Sequence, residues 1–214
     1  MTHKFAKYFI LAASALGLSA LPALATTCGS GGGTVVVTGT VCSLGGLTFD
    51  FESVTFVPGT PVPVLELEPS SGVVGDDTVL DFQYLAENTP SDINLVYSVT
   101  STADNITQVD SSYPAVVPNT PPASITENVC SANPLPLGCP AGDFLAEVTN
   151  STGNPTYSGV FGPESVIYIT KDVANNGFSS FTDSVVATPE PSSIGFMLIG
   201  ALGIGLLSRK FRRA

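Results

Sequence analysis

The sequence predicts an all-β chain whose central part folds as a single β-sandwich of Greek-key or jelly-roll order. Apolar and polar residues alternate at a spacing of two, as in Leu47, Phe49 and Phe51 against Thr48, Asp50 and Glu52, the mark of a strand with one buried face. Turn-forming clusters interrupt these runs throughout, and nothing between residues 26 and 187 sustains the 3.6-residue apolar period of a helix. Short strands punctuated by frequent turns bury their apolar faces by stacking two sheets.

Residues 1–25 read as a secretory signal peptide. Lys4 and Lys7 precede the apolar stretch Tyr8 to Leu21, and Ala23-Leu24-Ala25 forms a small-x-small cleavage site before Thr26. The alternative, an uncleaved anchor, fits poorly with the short apolar core and with Pro22 just before the cleavage site. Residues 26–187 then form the domain. Enrichment in β-branched and aromatic residues predicts strands at Thr34 to Val41, Leu47 to Phe51, Val62 to Leu67, Val79 to Leu85 and Ile93 to Thr102. Further strands are expected at Ser124 to Cys130, Phe144 to Thr149, Thr156 to Phe161, Ser165 to Val173 and Ser180 to Ala187. Turns fall at Pro58-Gly59, Ser71-Gly72, Gly75-Asp76-Asp77, Asn88-Thr89-Pro90, Gly153-Asn154-Pro155 and Asn175-Asn176-Gly177. Pro114 to Pro122 reads as an extended crossover, and Pro134 to Pro140 as a surface excursion.

Residues 188–214 have a different character. Thr188-Pro189-Glu190-Pro191-Ser192-Ser193 leads into the apolar run Ile194 to Leu207, which ends at Arg209-Lys210-Phe211-Arg212-Arg213. The two prolines hold the Glu190 peptide extended. Fourteen apolar residues span about 21 Å as a helix, short of a hydrocarbon core of about 30 Å; flanking serines and snorkelling Arg209 and Lys210 extend the span. A buried soluble helix is the alternative, but the run has no polar face and carries Gly195, Gly200, Gly203 and Gly205. The basic end belongs on the cytoplasmic side, so the domain lies outside.

This ordered triplet of proline-bracketed acid, apolar run and basic stop resembles the bacterial PEP-CTERM sorting signal, with Pro189, Glu190 and Pro191 as the motif. Thr188 stands where many members carry Val, and Phe211 interrupts the basic run. The resemblance implies export through the Sec translocon, removal of the leader by signal peptidase, a transmembrane helix at 194–207, and cleavage by the membrane enzyme exosortase. The product is then delivered from the inner membrane to the cell surface or beyond. The domain also loosely resembles others that precede this signal, through Cys42-x-x-Gly45-Gly46 with Phe49 and Phe51, and through Glu127-x-x-Cys130. Such domains mostly lack known activity, and some tails of this kind belong to ice-binding proteins.

The formal charge of −11 conceals an uneven distribution. Six of the seven basic residues lie in the two terminal segments; residues 26–188 hold one base, Lys171, against seventeen acids, a formal charge of −16. Such a domain repels nucleic acid and, without Arg, lacks the bidentate clamp for phosphate or carboxylate. Its acids could gather a hard cation such as calcium; Asp76, Asp77 and Asp81 are the candidates, although no EF-hand or nonapeptide spacing is present. No motif implies a cofactor. Cys28, Cys42, Cys130 and Cys139 allow three disulfide pairings in a secreted chain. Pairs 28–42 and 130–139 are favoured, because each brackets a Gly- or Pro-rich segment. Zinc is disfavoured by the lack of CxxC and by the loss of His3, the sole histidine, with the leader.

The expected protein is non-catalytic. Without histidine in residues 26–188, neither a Ser-His-Asp nor a Cys-His arrangement can form, which leaves only a carboxylate pair for glycoside hydrolysis. The leading reading is a surface or matrix protein associated with exopolysaccharide, and the alternative is a lectin-like carbohydrate-binding module. Tyr113 and Tyr157, beside proline or in turns, are its candidate sugar contacts. Ice binding would rest on Thr34, Thr38 and Thr40, a fragment of a hydroxyl array.

Overall fold

The structure is a computed structural model that describes residues 26–56, 64–84, 91–114, 123–134, 138–151, 156–175 and 180–189. Fourteen strands follow in order: β1 (Thr26–Thr27), β2 (Thr34–Val35), β3 (Thr40–Leu44), β4 (Leu47–Phe56), β5 (Leu65–Leu67), β6 (Gly72–Val74) and β7 (Asp77–Tyr84). They continue as β8 (Ser91–Ser101), β9 (Asp104–Ser112), β10 (Ser124–Cys130), β11 (Phe144–Ser151), β12 (Thr156–Glu164), β13 (Val166–Asn175) and β14 (Ser180–Pro189). The described residues contain no helix.

Two seven-stranded sheets result. The first runs β1-β3-β4-β8-β13-β10-β11, and the second β12-β9-β14-β7-β5-β2, with β6 paired to the same β7. All pairings are antiparallel except β1 with β3. The chain changes sheet at most connections. Two of these are tight corners, since β8 ends at Ser101 and β9 begins at Asp104, while β12 ends at Glu164 and β13 begins at Val166.

Alternation explains the core. Phe49 and Phe51 of β4, Ile93, Leu95, Tyr97 and Val99 of β8, and Ile167, Ile169 and Val173 of β13 bury one face of the first sheet. Leu80 and Phe82 of β7, Val109 of β9, and Phe181 and Val185 of β14 answer from the second. One aromatic pair crosses the gap, Phe51 meeting Phe82 edge-on at 6.1 Å; within the sheets, Phe51 lies against its cross-strand partner Tyr97 at 5.2 Å and Phe82 stacks on Phe181 at 4.6 Å.

Both favoured disulfides are present, Cys28–Cys42 and Cys130–Cys139. Each closes a short loop, worth about 3 kcal/mol in the chain-entropy model. The expected strand at Thr34 to Val41 divides, because Thr38 and Gly39 turn the chain between β2 and β3. The domain also extends past its expected end at residue 187: Thr188 and Pro189 remain in β14, opposite Asn105 and Asp104 of β9. The leader (1–25), the rest of the sorting motif (Glu190 and Pro191), the apolar run 194–207 and the basic tail 209–213 lie outside the described residues. Among the described residues no helix is long and apolar enough to cross a membrane.

Candidate functional site: a buried lysine between two carboxylates

Three ionisable side chains occupy inward positions where the alternation calls for apolar ones. On β13, Lys171 continues the row Ile167, Ile169 and precedes Val173; on β10, Glu127 sits between Ile125 and Val129; on β14, Asp183 sits between Phe181 and Val185. Glu127 and Lys171 are direct cross-strand partners in the first sheet. Asp183 approaches from the second sheet, where its partners are Ser111 of β9 and Leu80 of β7. The cluster therefore bridges the two sheets.

All three side chains are wholly buried. Lys171 Nζ lies 2.6 Å from Glu127 Oε2, touches Asp183 Oδ1, and donates to Ser111 Oγ at 3.2 Å. The Glu127 contact is an ion pair by distance that lacks the angle of a hydrogen bond. Tyr97, buried on β8, donates its hydroxyl to Asp183 Oδ2 at 3.0 Å, and Asn150 Nδ2 of β11 donates to the Ser111 carbonyl at 2.6 Å. The Phe181 ring lies with its centroid 5.3 Å from Nζ.

One cation and two carboxylates leave a formal excess of one negative charge where no water screens it. Burial raises the Glu127 carboxyl to about 7, against the pull of Lys171; Asp183 and Asp110 add to the rise. Burial opposes charge on Lys171, yet Asp183 and Glu127 outweigh it and raise the ammonium above its ordinary value. Burial, then Asp183 and Glu127, raise Tyr97 well above the usual phenol value, so it stays a hydroxyl donor. The arrangement is thus a dry cluster that holds Lys171 as an ammonium in direct contact with Asp183 and Glu127.

The residues expected from the sequence lie elsewhere. Tyr113 is buried rather than offered to a ligand, with its hydroxyl donating to the Ala123 carbonyl at 3.1 Å. Its place beside Pro114 at the end of β9 turns it into the core, which corrects the expected sugar contact. Tyr157 is 47% exposed on β12. The calcium expectation is also corrected: among the described residues no group of three or more His, Cys, Asp or Glu could hold a metal ion, and Asp81 accepts from Thr182 Oγ1 at 2.9 Å. The three threonines form no array, because backbone N–H groups use their hydroxyls: Gly29 at Thr34, Val54 at Thr38 and Val37 at Thr40. Glu127 and Asp183, the acids brought together in the core, are sealed from any glycan.

A groove lies along β8, β13 and β10, lined by Asn94, Leu95, Thr126, Asn128, Thr170, Lys171 and Asp172 together with Gly138. The buried cluster was visible in the sequence only as three charges at inward positions of otherwise alternating strands.

No protein-family model and no curated protein matches the chain. Among solved structures it is similar to a study of carbohydrate-binding modules from the β-sandwich superfamily, with 14% identity, a TM-score of 0.34 and coverage of 74% of this chain. The match spans 62% of the length of that structure.

Proposed function

We propose that this protein is a non-catalytic, exported component of the cell surface or extracellular matrix, held in the inner membrane by residues 194–207 and released toward the surface by exosortase. The burial of Lys171 carries this reading. Residues 26–188 hold no other basic side chain, so the fifteen acids outside the cluster meet none of opposite sign from this stretch. A surface charged with one sign stays hydrated and resists self-association, which suits a module set among exopolysaccharide. Two disulfides support an oxidising destination. The test is the mature C-terminus, read by mass spectrometry in cells with and without exosortase. A terminus near Pro189-Glu190-Pro191 that depends on the enzyme is expected; persistence of Leu207 and Arg213 in both strains would contradict the processing.

The groove favours a second reading, a lectin-like module. Its amide and hydroxyl groups suit sugar hydroxyls, and the exposed Tyr157 ring offers a stacking face elsewhere on the sandwich. On this reading, Asn128→Ala lowers retention on the secreted polysaccharide several-fold, whereas unchanged retention excludes the groove.

A further inference from the structure

We propose that Lys171 and Asp183 become joined by an intramolecular isopeptide bond, an amide between Nζ and Cγ, which the folded protein forms by itself with Glu127 carrying the proton. Four observations converge on it. The nucleophile and the carboxyl are in direct contact, and Glu127 Oε2 lies 2.6 Å from the nucleophile. Every participant is buried, so water is kept from the carboxyl carbon. The Tyr97 hydroxyl holds Oδ2 at 3.0 Å, on the carboxylate oxygen that Lys171 does not touch. Finally, a buried ion pair is seldom more stabilising than apolar residues of the same volume, so stability alone gives little reason to place three charges here.

The chemistry balances without a cofactor or an oxidant. A proton passes within the cluster from the Lys171 ammonium to Asp183 Oδ1, giving the minor form of the pair, a neutral amine beside a neutral acid, from which the reaction proceeds. The amine lone pair attacks Cγ and forms the C–N bond. Negative charge develops on Oδ2, where the Tyr97 hydroxyl already donates. Glu127 takes a proton from the nitrogen and returns one to Oδ1, whose bond to Cγ breaks as water leaves. Ammonium and carboxylate have become amide and water, and Glu127 is regenerated. Its carboxyl, raised to about 7 by burial against the opposing pull of Lys171, with Asp183 and Asp110 adding to the rise, both gives and takes protons near neutrality. Holding the partners in register supplies the driving proximity, since well-oriented intramolecular groups reach effective molarities of roughly 10⁵ M or more.

The product would tie β13 of the first sheet to β14 of the second. Because β14 leads directly into residues 190–214, tension applied through the C-terminus would reach a covalent cross-tie instead of a hydrogen-bonded strand edge. This inference is independent of processing by exosortase, and its test separates the two.

The test is the reduced, denatured full-length protein, weighed intact and then digested with trypsin. Lys171 is the only tryptic site between Lys7 and Arg209, and acylation of Nζ removes it. The expected wild-type mass is below that of its sequence by one water, with no cut after Lys171. Glu127→Gln should retain the full mass and be cut there. Asp183→Asn should lose ammonia in place of water, an outcome that a merely structural role for Asp183 does not produce. Wild-type protein at full mass and cut after Lys171 would overturn the bond, whatever the variants do. Loss of water by Glu127→Gln at the wild-type rate would overturn the part assigned to Glu127.

Discussion

Gly45 shows how much one backbone position can settle. Gly45 and Gly46 have φ of 60° and 82°, the two-residue turn that returns β3 onto β4 with Leu44 opposite Leu47. A Cβ on Gly45 would lie 2.5 Å from Thr78 Oγ1 and 2.7 Å from Val73 Cγ2. Gly45→Ala should therefore cost about 2 kcal/mol through left-handed strain and crowding, read as a lower midpoint in urea. At the same scale, the sequence spoke clearly about cysteines and poorly about tyrosines. The 28–42 and 130–139 pairs follow from what each cysteine brackets, whereas the burial of Tyr113 depends on where β9 delivers it. Lys171 was legible as the lone base of its stretch and as an inward position in Ile167-x-Ile169-x-Lys171-x-Val173. Its carboxylate partners come from strands 44 residues upstream and 12 downstream, and only the sheet pairing brings them to it.

At the scale of elements, strands whose alternation is unbroken were readable, as β10, Ser124 to Cys130, illustrates. Besides the short β1 and β6, the strand missed entirely is the nine-residue β9. Its composition is polar, and its inward residues Ile106, Val109 and Ser111 break the spacing of two, because the register slips against both neighbouring strands. It nevertheless carries Ser111 into the buried cluster. Electrostatics between strands gives a second check. Solvent-facing Asp172 of β13 is raised above the ordinary carboxyl value by partial burial and by Asp92 on the neighbouring β8. Because the folded state holds this proton more tightly, its contribution is complete below the unfolded value near 3.8 and is lost as pH rises through the higher folded value. Asp172→Asn should remove that slope and stabilise the domain at neutral pH by roughly 0.2–0.5 kcal/mol after solvent screening, with no gain at acid pH. Thermal melts of both proteins across pH 3 to 7 measure it, with ~1 pH unit steps sufficient.

At the scale of the whole molecule, two sheets share one core through which the chain repeatedly passes, and the disulfides guard only local loops beside the first sheet. The cluster of Lys171, Glu127 and Asp183 spans the remaining seam. Sequence patterning reached the two-layer architecture because alternation demands a second apolar face. It did not reach the seam, because charge inside a sandwich has meaning only once its partners across the gap are known. The most direct measurement is the intact mass of the reduced, full-length protein, taken together with its tryptic map. A deficit of one water and an uncut Lys171 are expected; the full sequence mass with cleavage after Lys171 would contradict the covalent tie between the sheets.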